Sequence, residues 1–139
     1  ETTENAKTIY GGVITDGIGS EGSGGGIEVS ENATLNLYGG NISGNSASSN
    51  GGGIHVEQGG HLNIFGGTIS GNTSEHGGGV YAQSNSVFYI YDGEISHNNA
   101  QTYGGGVVEK YQIIMAILVA DLVLMLHIAL LKMVLLKKI

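Results

Sequence analysis

The side chains able to do acid–base or metal chemistry are sparse and out of phase with one another. Cleavage of a polysaccharide needs carboxylates gathered on one face, either as an acid and base pair or as Ca²⁺ ligands. Glu28 and Glu94 fall on different predicted strands, Glu31, Glu57 and Glu75 fall in turns, and Asp16 and Asp92 occupy non-equivalent settings. The chain has no Arg to stabilise a developing anion. It has no Cys for thiolate catalysis, disulfides or Cys-based zinc sites. His55, His61, His76 and His97 take different positions in the internal repeat, which reads as exposed loop histidine and not as a metal-binding column. The Ca²⁺-binding nonapeptide is excluded because no Gly-rich stretch is followed by the Asp it requires. Asn32-Ala33-Thr34, Asn41-Ile42-Ser43 and Asn72-Thr73-Ser74 match the glycosylation pattern and read as by-products of an Asn/Ser/Thr-rich repeat. The expectation is a non-enzymatic chain with no catalytic residues, no metal and no cofactor.

One set of side chains does keep phase. Tyr10, Tyr38, Phe65 and Tyr91 each stand just before Gly-Gly or Asp-Gly, and strand alternation points them away from the neighbouring Leu and Ile. Stacked surface aromatics bind the apolar faces of sugars, so these four are the candidate ligand-binding residues. They read equally as a corner stack that shields backbone, worth about 0.5–1.5 kcal/mol per pair. A hydroxyl lattice of the ice-binding kind is excluded by Asn41, Thr68 and Glu94 at the first outward position of the third strand.

These residues are positioned by a repeat. Gly-Gly-Gly begins at Gly24, Gly51, Gly77 and Gly104, at intervals of 27, 26 and 27 residues. Between triplets runs a second marker: YGGVIT from Tyr10, YGGNIS from Tyr38, FGGTIS from Phe65 and YDGEIS from Tyr91. Its Ile42, Ile69 and Ile95 each lie 18 residues after the start of a triplet. Two markers held in phase over three periods establish an internal repeat. The one-residue variation falls after the second marker, a region that reads as a tolerant loop.

Each period holds three short alternating runs, exemplified by Ile54-His55-Val56, Leu62-Asn63-Ile64 and Thr68-Ile69-Ser70. Period-two alternation predicts strands, and the Gly and Asn between them predict turns. Three strands of this length cannot close a core alone. Stacked as coils of a solenoid, equivalent strands lie parallel about 4.8 Å apart and share one interior. Four apolar columns result: Ile27/Ile54/Val80, Leu35/Leu62/Phe88, Leu37/Ile64/Ile90 and Ile42/Ile69/Ile95. Asn45, Asn72 and Asn98 stack at one turn, where carboxamides bond along the column and to the backbone. The predicted fold is all-β, a single-stranded right-handed parallel β-helix of about four 26–27-residue coils. Its length of roughly 20 Å suggests part of something longer.

The markers GGNIS-GN, GGTIS-GN and DGEIS-HN, each followed by GGG and Ile or Val, resemble the β-helix repeats of bacterial adhesins and polymorphic outer-membrane-type surface proteins. The resemblance covers roughly residues 8–107 and extends to the pectate-lyase-like fold. It departs in an irregular Asp16–Ser23 link and in a last coil that stops at its triplet. It implies a surface-exposed, adhesin-like region of an extracellular bacterial protein, presenting an elongated face to host or cell-surface glycans or proteins. The alternative is part of a pectate-lyase-like carbohydrate-active enzyme without its catalytic coils. The start at Glu1, with no Met, implies that an N-terminal portion is missing.

Composition divides the chain in two. All 26 Gly lie in residues 1–106, where ten acids face one base, Lys7, for a charge of −9. That charge disfavours a nucleic-acid partner. Residues 107–139 contain no Gly, 24 of the 33 are Ala, Val, Ile, Leu or Met, and four Lys against two acids give +2. Three readings of 107–139 stand. Residues 113–131 are 19 long with a Lys-rich flank, as a helical membrane span requires, although Asp121 would cost about 2.5–3.5 kcal/mol near its centre. The segment also reads as a helix capping the solenoid, although its polar residues form no outer face. The third reading is a frameshift product, since codon degeneracy around Met115-Ala116 allows another frame to continue the Gly/Asn/Ser repeat. A membrane partner is expected only under the first.

Overall fold

The computed structural model describes residues 6–19 and 22–109. The first coil contributes β1 (Ala6–Ile9) and β2 (Val13–Ile14). The second contributes β3 (Ile27–Val29), β4 (Thr34–Leu37) and β5 (Asn41–Ser43). The third adds β6 (Ile54–Val56), β7 (His61–Ile64), β8 (Thr68–Ser70) and β9 (Thr73–His76). The fourth adds β10 (Val80–Ala82), β11 (Val87–Ile90), β12 (Glu94–Ser96) and β13 (Asn99–Tyr103), and β14 (Val107–Glu109) opens the next.

Equivalent strands pair in parallel into three four-stranded sheets, β1-β4-β7-β11, β2-β5-β8-β12 and β3-β6-β10-β14, with β9-β13 as a two-stranded fourth. Partners down one column, Ala6, Thr34, His61 and Val87, are 28, 27 and 26 residues apart. The chain is therefore a parallel β-solenoid, as the repeat requires. The four apolar columns pair residue for residue in the expected register. They form one core in which Leu37, Ile54, Leu62, Ile64, Ile69 and Val80 have at most 1% of their surface exposed. Each such side chain contributes roughly 1.5–3 kcal/mol by leaving water. A fifth inward column, Val29, Val56 and Ala82, joins them.

The triplets follow from packing between coils. Their first glycine has φ of 62°, 66°, 61° and 72° at Gly24, Gly51, Gly77 and Gly104, the left-handed region that favours glycine. The second lies where one coil rests on the next: a Cβ at Gly52 would overlap the carbonyl oxygens of Thr73 and Gly78. Backbone cannot yield as a flexible side chain does. Gly52→Ala should therefore lower the thermal midpoint well beyond the effect of Gly11→Ala, where an added Cβ meets nothing within 4 Å. Equal melting shifts for the two would contradict this packing.

Three features differ from the sequence reading. The region between the second marker and the triplet, expected to be a loop, is the strand β9 and its partner β13. Its ladder carries an irregularity between Ala100 and Tyr103, which takes up the extra residue as a bulge. The inward positions here are the small residues Ala47, Ser74 and Ala100, so no Leu/Ile alternation marks the strand. Next, the solenoid does not stop at its last triplet, because Val107–Glu109 pairs in register with Val80–Ala82. The compositional boundary at Gly106 thus lies inside a coil. His55, finally, is not an exposed loop residue but the middle of β6, 3% exposed. The membrane-span, cap and frameshift readings apply to 107–139, of which residues 110–139 lie outside the described residues. Among the described residues no helix is long and apolar enough to cross a membrane.

Candidate functional site

Tyr10, Tyr38, Phe65 and Tyr91 do come together. Each follows a strand of the β1-β4-β7-β11 sheet, so the parallel register places the rings one above another. Tyr10 and Tyr38 have centroids 5.4 Å apart, Tyr38 and Phe65 4.5 Å, and Phe65 and Tyr91 4.7 Å, with interplanar angles of 22°, 12° and 5°. Near-parallel stacking at this distance uses both faces of Tyr38 and of Phe65. A sugar stacks on a ring face, and the interior of this column offers edges and the Tyr38 hydroxyl instead. Tyr10, 78% exposed, has the most open ring. The rings stack at the corner at which each coil turns.

A second constellation lies on the outer face of the β3-β6-β10-β14 sheet, where the register aligns Glu28, His55, Tyr81 and Val108. His55 Nδ1 is 3.3 Å from Glu28 Oε1, and His55 Nε2 is 3.1 Å from Gln83 Nε2. The backbone N–H of Gln58 donates to Gln83 Oε1 at 3.3 Å. That bond fixes the Gln83 carboxamide with its NH₂ towards His55, so Nε2 must accept and Nδ1 carries the proton donated to Glu28. Both imidazole nitrogens are occupied, the Nε2 lone pair by the Gln83 carboxamide and the Nδ1 side by Glu28.

The rings continue from there. Tyr81 lies 5.8 Å from His55 and 6.5 Å from His76, and His76 lies 4.4 Å from Tyr103, all tilted at 40–48°. Asn50 Oδ1 holds His76 Nδ1 at 3.2 Å. Over this surface lie two concavities. One of about 230 Å³ is lined by Asn50, Gln58, Tyr81, Gln83 and Ser84. The other, of about 320 Å³, is lined by Glu31, Glu57, Gln58 and Gln83.

Sequence reasoning about chemistry passed over this set because it sought like residues at like positions. Glu28, His55 and Tyr81 each stand four residues after the start of a triplet, so their alignment is written in the repeat although their types differ. Of the other histidines among the described residues, His61 and His97 are exposed. Among the described residues no three His, Asp or Glu gather as a metal-binding group. Compared with known families, curated proteins and solved structures, the chain matches none.

Proposed function

We propose that this β-solenoid is a non-catalytic binding module, part of an adhesin-like surface protein of an extracellular bacterial kind, which presents one elongated face to glycans or proteins. The observation that carries this reading is a contrast between columns. Inward columns repeat nearly the same residue from coil to coil, as in Ile14, Ile42, Ile69 and Ile95. The outward column Glu28, His55, Tyr81 and Val108 changes at every step. A fold needs the first kind of regularity, whereas a surface that distinguishes one ligand from another needs the second. The uniform aromatic column belongs with the structural columns, and the occupied nitrogens of His55 favour binding over catalysis.

The experiment is a binding screen of the whole chain against surface glycans and proteins, sampled over time for shortened glycan. Saturable binding without product is expected, and time-dependent product release would sink the reading in favour of a lyase-like enzyme. In the same screen, Tyr38, Phe65 and Tyr91 replaced together by Ser should lower the melting temperature and leave ligand affinity unchanged. Stacking of about 0.5–1.5 kcal/mol per pair is what that substitution removes. Lost binding with an unchanged melting temperature would instead make the aromatic column the ligand site.

A further inference from the structure

The outer face of the β3-β6-β10-β14 sheet is a groove. His55 and Tyr81, its outward residues on the two central strands, are 3% and 6% exposed, although nothing of the core covers them. His55 lies against Glu28, Gln83 and the Tyr81 ring, and Tyr81 against the His55 and His76 rings. Gln58, Gln83 and Ser84 from the turns that follow the sheet and Asn50 from the corner that precedes it line the space beside Tyr81. The concavity of about 230 Å³ spans the two rims, with Tyr81 in its lining. The second concavity shares Gln58 and Gln83 with it and extends the groove on the turn side.

We propose that this groove binds an uncharged glycan chain laid along the solenoid axis, an inference that rests on reading the chain as a binding module. The first support is the chemistry of the lining. A carboxamide presents a donor and an acceptor side by side, as a sugar hydroxyl does, and three carboxamides converge here. Among the described residues the side chains of Gln58 and Ser84 bond to no protein group, nor does the Tyr81 hydroxyl. Asn50 uses its oxygen on His76 and keeps its amino group.

Preorganisation is the second support. Gln83 is held from two sides, by His55 Nε2 and by the Gln58 backbone, and His55 is held in turn by Glu28. A wall fixed before the ligand arrives loses little entropy on binding. Charge is the third. Glu31 and Glu57 line the groove and Glu28 lies beside its His55, and Lys7 is the only Lys or Arg in residues 1–106, so an anionic glycan is repelled. The repeat is the fourth. Gln58 and Ser84 are equivalent positions of successive coils, about 4.8 Å apart along the axis, a step suited to a ligand that itself repeats.

The test is calorimetric titration of the whole chain with neutral cello-, manno- and β-1,3-gluco-oligosaccharides, and with polygalacturonate as the anionic comparison. Gln58→Ala and Ser84→Ala serve as variants, with circular dichroism to confirm that each keeps its β structure. Saturable binding of at least one neutral oligosaccharide is expected, weakened about fivefold to tenfold by Gln58→Ala. Preference for polygalacturonate, neutral binding indifferent to both substitutions, or no neutral binding at all would overturn the assignment. Binding of a protein or charged glycan in those cases would leave the module reading standing, while product release from any glycan would overturn that reading itself.

Discussion

Ile69→Asn should cost the solenoid about 4 kcal/mol or more and lower its thermal midpoint by on the order of 15 °C or more. Ile69 is 1% exposed and registers with Ile42 in one neighbouring coil and Ile95 in the other. The substitution removes a branched hydrocarbon packed on both sides, for which truncation alone costs about 2–5 kcal/mol. It then places a carboxamide among apolar side chains, where it finds no partner. A solenoid has no second core to compensate, since each coil is stabilised mainly through its neighbours. Ser70→Ala, one residue on and half-exposed, should stay within about 0.5 kcal/mol. Denaturation curves of the two variants check the facing of the whole strand, and equal losses would show that it is wrong.

The inward half of the molecule was legible in the sequence because inward positions obey one rule, apolar at every second residue, repeated in phase. The columns through Ile42, Leu37 and Leu62 needed only the triplet count and the alternation. The strand β9 was hidden because the space inside that corner is small. It accepts Ala47 and Ser74, whose types carry no strand signal, and the buried Ser74 hydroxyl satisfies itself by donating to the His76 carbonyl at 2.8 Å. The strand β14 was hidden for a different reason. Composition changes at Val107, yet register is set by the three glycines before it, whose carbonyls still accept from the Gly78, Gly79 and Val80 N–H groups of the preceding coil.

The outward half was legible only in part. The aromatic column repeats its type and so announced itself, and its rings stack in the order the repeat gives. The groove is built from residues that share a position without sharing chemistry. His55 is buried by Gln83, Glu28 and Tyr81, three side chains brought to it from neighbouring coils. Composition cannot reveal such burial, because a lone His in an alternating run reads as the solvent-facing member. Counting residues from each triplet would have placed Glu28, His55 and Tyr81 side by side.

The buried asparagine column allows the sharpest comparison within one residue type. Asn72 is 0% exposed. Its Oδ1 accepts from the Asn45 backbone N–H and from Asn45 Nδ2, both at 3.0 Å. Its own Nδ2 donates to the Ile42 carbonyl and to Asn98 Oδ1, each at 2.9 Å. Asn72→Ala therefore strips this partner from the Asn45 backbone N–H and from the Ile42 carbonyl inside the turn. Asn45 Nδ2 keeps the Ile14 and Ser43 carbonyls, and Asn98 Oδ1 keeps the residue-72 backbone N–H. Buried groups left unpaired cost about 1–3 kcal/mol each, so a loss of about 3 kcal/mol or more is expected. Asn63 makes a formally similar bond, donating from Nδ2 to Asn36 Oδ1 at 2.9 Å, but on the outward face where solvent can substitute. Asn63→Ala should cost under about 1 kcal/mol. Hydrogen exchange separates the two further, since the Asn45 amide should lose protection in Asn72→Ala and keep it in Asn63→Ala. If both variants unfold at the same denaturant concentration, the inner column is packing its side chains rather than satisfying the backbone, and the account of the turn given by its hydrogen bonds fails.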